Sequence, residues 1–356
     1  MSNRALLYED VDGTTFEVEL PLTSNVDPEE IGKELGVPSY VDMDYFPMKS
    51  AVVSIWAALN AKELHRMYPQ AFEKRVSKKP IPVLLFGGAA VKMHCEHANG
   101  TGLLSREIKD TDFIVPKKQG LDFYKLLLSM DKAFGTRYKS FRTKSDRLFN
   151  ALRHGERYRI RTIKGLTEEG LPIVGVMDIL CDRINLRHNI EVKDAFKEYR
   201  ENLYTIGLEY LVLSKVQFIM DLPKEKLGKL KEYEQEFRVL PYPHYAKDKI
   251  VLGMEEKDVK DICAIFLDHS IGNEKEEIDP EKMRRILERD QKFAVTATLN
   301  LENLVDKSDS LRKWLKRSEV ATVTDRIETL LKRLPRVDKK WDKPWWNTAV
   351  ETPIIE

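Results

Sequence analysis

"KDTDFIVPKK", residues 109–118, carries Asp110 and Asp112 two positions apart at the head of an apolar run. Successive side chains of a strand point to opposite faces, so the two carboxylates fall on one face while Thr111 and Phe113 fall on the other. Two such charges, roughly 5–7 Å apart, repel unless something positive lies between them. A divalent cation is the economical answer. Acid-x-acid triplets also arise by chance in a chain with 58 acidic residues, and Asp10/Asp12 and Asp42/Asp44 have the same spacing. What sets Asp110 and Asp112 apart is their surroundings.

Upstream, "IPVLLFGGAAVKMHCEH" (81–97) reads as a buried strand over 83–86, a turn at Gly87 and Gly88, and a helix from Ala89. Downstream, "PIVGVMDILC" (172–181) is a further strand that sets Asp178 among apolar neighbours, where a lone carboxylate is costly unless it is paired or coordinates a metal. Three carboxylates on neighbouring strands can hold two Mg²⁺ ions about 4 Å apart, with Mn²⁺ as a substitute. One ion activates an attacking hydroxyl and the other carries a triphosphate, which is the chemistry of nucleotidyl transfer. The amides of Gly87 and Gly88, with the helix start behind them, suit phosphate oxygens because no Cβ blocks the approach. A Gly-Gly turn is also, in many chains, only a tight connection.

The rest of the chain frames this segment. At 356 residues, two or three domains are expected. With 59 basic against 58 acidic residues there is no overall basic coat, so any nucleic-acid contact must be local. Cys95, Cys181 and Cys263 are scattered without a CxxC pair, which fits reduced thiols in a cytoplasmic protein. The amino terminus is acidic where a secretion signal would be apolar, and no apolar run reaches 18 residues, so no membrane is expected.

Residues 1–78 read as an α/β extension: "TTFEVELPL" alternates, "NVDPEEIGKELG" has Asp27 or Asn25 as cap, Pro28 in the first turn and Gly36 as stop, and "MKSAVVSIWAALNAKELHRMY" is helical. Residues 79–185 form the core, with "TDFIVP", "RYRIRTI" and "PIVGVMDILC" as strands and "GLDFYKLLLSMDKAF" as a helix. Residues 186–270 read as helical, including "EYLVLSKVQFIMDL", "KEKLGKLKEYEQEF" and "EEKDVKDICAIFLDH", and 271–356 as a helical extension with a tryptophan-rich tail. The fold class is therefore α+β (α/β): a small mixed sheet with flanking helices, followed by an all-helical region.

The ordered set "LLFGGAAVKMH … SREIKDTDFIV … VMDIL" resembles the DNA polymerase β-type nucleotidyltransferase superfamily: a Gly-Gly turn, Asp-x-Asp, then a third Asp on a later strand. The resemblance covers roughly residues 80–185, with 21 residues between Gly88 and Asp110, longer than the compact motif. Beyond it, "EYLVLSKVQFIMDL … EEKDVKDICAIF" looks like the abortive-infection (AbiEii-like) branch, in which a Lys-bearing helix and a Lys-Asp-x-x-Asp helix close the nucleotide pocket. The resemblance implies an enzyme that moves NMP from an NTP to a hydroxyl and releases pyrophosphate. Asp110, Asp112 and Asp178 would be the metal ligands, and Gly87, Gly88, Arg106 and Lys215 would hold the triphosphate, with Asp258 and Asp261 lining the site. It further implies a tRNA 3′ end, another RNA, a protein side chain or a small molecule as acceptor, and a toxin-like activity balanced by an antitoxin. The Arg that often precedes the Lys-Asp pair is not evident, and about 40 residues separate Lys215 from Asp258.

Read directly, Lys215 lies in a stretch so apolar that it must either reach solvent along the helix flank or meet an anion. Asp258 and Asp261 share a helix face, as acids on a solvated face also would. Between Asp131 and Lys164 there are 11 Lys or Arg against 3 acids, interleaved with Phe134, Tyr138, Phe141, Phe149 and Tyr158. That pattern suits a phosphate backbone with unstacked bases over 132–164, or an ordinary solvated face. Alternation puts Arg157, Arg159 and Arg161 in one row. His94, Cys95 and His97 invite a zinc reading but lack a second ligand pair at finger spacing. Trp341, Trp345 and Trp346 read as a docked tail, with RNA stacking as the other role. A non-catalytic RNA- or protein-binding module that keeps the fold is the competing function, and a P-loop enzyme is disfavoured because GxxxxGK[ST] is absent.

Overall fold

The structure is a computed structural model, which describes residues 4–9, 13–72, 79–241, 247–337, 341 and 343–348. The chain is mixed α+β and divides into two compact units, neither continuous in sequence. The first comprises Met1–Met93, Glu107–Arg183 and Glu191–Ile206; the second comprises His94–Arg106, Ile184–Ile190 and Gly207–Glu356.

The first unit opens with a hairpin of β1 (Arg4–Glu9) and β2 (Thr15–Leu20), followed by α1 (Pro28–Leu35), α2 (Phe46–Leu59) and α3 (Ala61–Met67). The capping signals are realised in α1: Asp27 Oδ1 accepts from the amides of Glu29 and Glu30, and Gly36 ends the helix in the left-handed conformation. The expected single helix over 48–68 breaks at Asn60 into α2 and α3. Residues 1–78 are part of the same unit as the sheet that follows. Phe16 stacks on Phe141, Asn25 N–H donates to the Phe134 carbonyl, and Thr23 and Thr136 exchange hydrogen bonds.

Then come β3 (Leu84–Phe86), α4 (Gly87–His94), β4 (Thr111–Val115), α5 (Gly120–Leu127), α6 (Asp131–Phe134), β5 (Ser140–Phe141), α7 (Lys144–Leu152), β6 (Arg157–Leu166) and β7 (Pro172–Cys181). Five of these strands form one mixed sheet in the order β3-β4-β7-β6-β5, in which only the β4–β7 pair is parallel. The expected strands lie here, β7 with the bounds read from the sequence. One face is sealed by Ile160, Met177, Ile179 and Phe113, all at most 1% exposed, and Phe113 meets Phe123 of α5 edge-on.

The second unit holds the short hairpin of β8 (Arg183–Asn185) and β9 (Asn189–Glu191) at its seam in sequence with the first. It continues with α8 (Leu208–Val216), β10 (Met220–Pro223), α9 (Glu232–Arg238), β11 (Lys249–Leu252), α10 (Glu256–Asp268), α11 (Pro280–Glu288), α12 (Gln291–Asp306) and α13 (Arg317–Leu331). The expectation of an all-helical region from 186 is corrected here. The "EYLVLSKVQFIMDL" helix stops at Val216, because the Asn300 amide takes the carbonyls of Val216 and Phe218 and Gln217 binds back to the Ser214 carbonyl. The chain then turns into β10, which pairs with β11. "KEKLGKLKEYEQEF" forms a helical α segment only over α9. The tryptophan tail docks: Trp345 and Trp346, 4% and 7% exposed, pack with Ile219, Leu240, Val251 and Val295.

Candidate functional site

In the first unit, β3 ends at Phe86 and the chain enters α4 through Gly87, whose φ of +71° favours glycine. A Cβ at Gly87 would come 3.1 Å from Asp112 Oδ2, so the glycine turn lies directly against the first carboxylate pair. Register then does what spacing alone could not. Phe86 pairs with Asp112 across β3–β4, Asp112 with Asp178 across β4–β7, and Asp178 with Arg159 across β7–β6. These four residues form one row across four strands, and partners in register share a face.

Asp178 is 5% exposed and is met from β6 by two guanidiniums. Arg159 binds it bidentately, Nε to Oδ1 at 3.0 Å and Nη2 to Oδ2 at 3.1 Å, while Arg157 Nη2 donates to Oδ2. Phe149 of α7 lies under both, with its ring centre 4.2 Å from Arg159 Cζ and 5.3 Å from that of Arg157. Burial pushes the Asp178 carboxyl up, but the arginines outweigh it and hold the group below the usual carboxylate range. Of pairing and metal coordination, the two ways in which a buried carboxylate is tolerated, the arginines supply the first. The burial of Asp178 is compensated by arginines two residues apart on the neighbouring strand, a pairing set by register.

Asp110 lies one residue ahead of β4 with its side chain 53% exposed, and Lys164 Nζ is 3.8 Å from its Oδ1. Lys164 sits at an irregularity in the β6–β7 register between Ile163 and Gly165. Burial pulls its ammonium below the ordinary lysine range, while Asp110, Glu107 and Asp112 act in the opposite direction and Lys109 adds to the lowering. Among the described residues no three of His, Cys, Asp and Glu converge as a metal-holding group. The donor chemistry still suits a hard divalent cation: Asp112 and Asp178 are carboxylates in register, Asp110 lies two residues before Asp112, and Gly87 leaves the space over Asp112 free of a side chain. These three are the residues that would hold it. As they stand, cationic side chains neutralise them.

In the second unit, Lys215 of α8 and Asp258 and Asp261 of α10 meet Arg106. Arg106 clamps Asp261 through Nε (2.9 Å) and Nη2 (2.7 Å), and Lys215 Nζ lies 2.7 Å from Asp261 Oδ2 and 3.3 Å from Asp258 Oδ1. Lys215, Asp258 and Asp261 are 7%, 1% and 3% exposed, so neither the solvent-reaching lysine nor the solvated acidic face is what forms. Burial raises the Asp258 carboxyl, and Lys215 does not fully offset it; the burial of Asp261 is overcome by Lys215 and Arg106, which hold it low. Among the described residues Asp258 Oδ2 has no hydrogen-bond partner. The two cations expected to hold a triphosphate are engaged by carboxylates of their own unit.

The basic stretch 132–164 is also largely committed. Besides Arg157 and Arg159 on Asp178, Arg161 pairs with Asp146, which closes the capping box of α7 with Thr143, and Lys139 pairs with Asp131. Phe134, Tyr138 and Phe141 are buried, so these rings belong to the core and not to a stacking surface. His97 donates its backbone N–H to Asp268 Oδ2 and its ring Nδ1 contacts Oδ1; the His94 carbonyl accepts from His269 Nε2. The Cys95 thiol is pushed well up by burial and then by Asp268 and Asp261. Of the control triplets, Asp42 caps a turn through the amides of Asp44 and Tyr45 and Asp44 pairs with Lys49, while Asp10 and Asp12 lie outside the described residues.

Sequence reasoning counted Lys164 as one cation of a patch and missed it as a neighbour of Asp110. The signal that could have found it is the pair of hairpin glycines: Gly165 beside Lys164 and Gly175 across from Thr162. Among the described residues no helix is long and apolar enough to cross a membrane. No protein-family model, curated protein or solved structure matches the chain.

Proposed function

We propose that the chain is a nucleotidyltransferase of the DNA polymerase β type, moving NMP from an NTP to a hydroxyl acceptor with release of pyrophosphate. The observation that carries this reading is the registered pair Asp112–Asp178 on parallel strands, beside a glycine turn where a Cβ at Gly87 would come 3.1 Å from Asp112 Oδ2. Bound Mg²⁺, or Mn²⁺ in its place, would supply charge to the triphosphate and lower the pKa of the attacking hydroxyl. Asp110, Asp112 and Asp178 would hold it. Gly87 and Gly88 present backbone amides at the start of α4, where anionic oxygens are favoured. Asp178, kept ionised by Arg157 and Arg159, accepts a hydrogen bond from the incoming hydroxyl and orients it.

The resemblance gives nucleotide contacts also to Arg106, Lys215 and Asp258, whose charges are paired within their own unit. A tRNA 3′ end or other RNA is the preferred acceptor class, contacted by the exposed cations of 132–164 such as Lys144 and Arg147. A cytoplasmic toxin restrained by an antitoxin follows from the abortive-infection resemblance. The second reading, a non-catalytic RNA- or protein-binding module, draws on one observation: both oxygens of Asp178 are already held by arginines.

The test is incubation with each NTP labelled at the α-phosphate, Mg²⁺ and total cellular RNA or protein. Wild type is expected to label one macromolecule, and Asp112→Asn to lose at least about a hundredfold of that rate. A binding module would label nothing with any NTP and would keep its partner affinity in Asp112→Asn.

A further inference from the structure

The β6–β7 hairpin contains a feature that the proposed transfer chemistry does not use. Lys164 occupies the register shift between Ile163 and Gly165, and its side chain runs across the neighbouring strand at Gly175. A Cβ at Gly175 would lie 1.7 Å from Lys164 Cε and 2.6 Å from Nζ, so only glycine leaves this path open. The path ends at the foot of β4, with Nζ 3.8 Å from Asp110 Oδ1 and the chain stem buried, the side chain being 13% exposed. The charged groups within electrostatic reach are Asp110, Glu107 and Asp112, with Lys109 opposing. A bulge on one strand and a missing side chain on the next are two separate local features, and both serve to bring one ammonium to one acidic cluster.

We propose that Lys164 is a tethered counter-cation of the Asp110–Asp112 carboxylates, a positioning residue that a divalent cation must displace or tolerate on binding there. The inference rests on the reading of these carboxylates as cation ligands. A fixed positive charge close to a divalent ion opposes its binding electrostatically, and the opposition is screened by salt. With the tether in place, repulsion between the carboxylates is offset without an ion. Lys164 therefore sets the ion concentration at which the site fills and weakens binding relative to an uncharged side chain of the same length.

The experiment is Mn²⁺ binding to the full chain, read from the paramagnetic resonance of free Mn²⁺, without nucleotide. Lys164→Met is expected to bind Mn²⁺ about five- to tenfold more tightly than wild type at low salt, with the gap narrowing as ionic strength rises. Lys164→Arg should stay close to wild type. Gly175→Ala, which keeps the charge but blocks its path, should tighten binding in the same direction by a smaller factor. Lys118→Met, on an exposed lysine away from the cluster, removes the same net charge and should change affinity less than twofold. Asp112→Asn should lose the site. Equal affinity in wild type and Lys164→Met, or tightening no greater than in Lys118→Met, overturns the proposal and leaves the metal reading standing. Absence of a specific site in wild type and in every variant overturns both. Thermal unfolding of each variant shows that the proteins compared are folded.

Discussion

The two units neutralise their carboxylates differently. In the first, Asp178 is shared by Arg157 and Arg159 and Asp110 faces Lys164, with side-chain exposures of 19%, 18% and 13% for the three cations and 53% for Asp110. In the second, the side chains of Lys215, Asp258 and Asp261 are 8%, 2% and 4% exposed, and one oxygen of Asp258 has no hydrogen-bond partner among the described residues. Asp178, with its side chain 7% exposed, is nearly as dry as the second set, and Arg106 of the second set is as open as Arg157, both at 19%; what the second set lacks is a solvated member like Asp110. A set open to solvent can exchange its internal cations for a ligand at modest cost, because the medium screens each intermediate charge. A desolvated cluster cannot lose one member without leaving the others as uncompensated buried charge. On this difference, the Asp110–Lys164 pair can exchange its cation, whereas Asp178 with its arginines and Lys215 with its carboxylates hold fixed geometry.

The largest expected effect lies in the second unit. Lys215→Met should destabilise the protein by roughly 3–5 kcal/mol, since Asp261 would keep only Arg106 and Asp258 would lose its direct ion pair. Urea unfolding measures it, and a loss below about 1 kcal/mol would erase the contrast drawn here. Acidification gives the next effect. His188, 5% exposed, stacked on Phe293 and bonded to Thr296, has its pKa lowered from 6.5 to about 4, by burial first. A base whose folded value is depressed contributes fully above its unfolded value. As pH falls from 6.5 towards 4 the unfolded chain takes a proton that the folded one refuses, and roughly 3 kcal/mol is lost. Asp178 has the opposite chemistry, an acid with a depressed value. Its contribution is intact above about pH 3.9 and disappears only as pH falls through the lowered value. Trp314, Trp341, Trp345 and Trp346 belong to the second unit, so fluorescence of a Trp56→Phe protein follows that unit. It should show weakening between pH 6.5 and 4, and His188→Asn should flatten that slope.

Smaller effects separate the members of each set. Asp261→Asn should cost about 2–3 kcal/mol because both cations lose their ionised partner, while Asp258→Asn should stay within about 1 kcal/mol. The Asp258 carboxyl is raised and half unpartnered, and an amide there relieves repulsion from Asp261. Equal losses for the two substitutions would break the distinction. Lys164→Met should be smallest, at most about 1 kcal/mol in the same urea experiment, because Asp110 is solvated.

The caps of α1, the alternation of β6 and the bounds of β7 were legible because each depends on residues adjacent in sequence. So was the strand-turn-helix at Gly87, since a positive φ calls for glycine wherever the rest of the chain goes. The end of α8 was not legible: its periodicity continues to 222, and what stops it is Asn300, more than 80 residues away. Arg157, Arg159 and Arg161 could be placed on one face but not given partners, and a surface patch was the natural reading for cations whose acids lie on other elements. For Lys215 the sequence narrowed the choice to solvent or an anion, and tertiary packing supplied Asp258 and Asp261.

What the sequence determined by itself is therefore local: which side chains share a face, where glycine is required, and that Asp178 stands among apolar residues. Tertiary structure alone decided which cation meets which carboxylate. Periodicity defines the direction of a side chain along its own element, whereas pairing depends on the register between strands and on residues brought together from distant positions. The energy of a buried charge is set by that second kind of information.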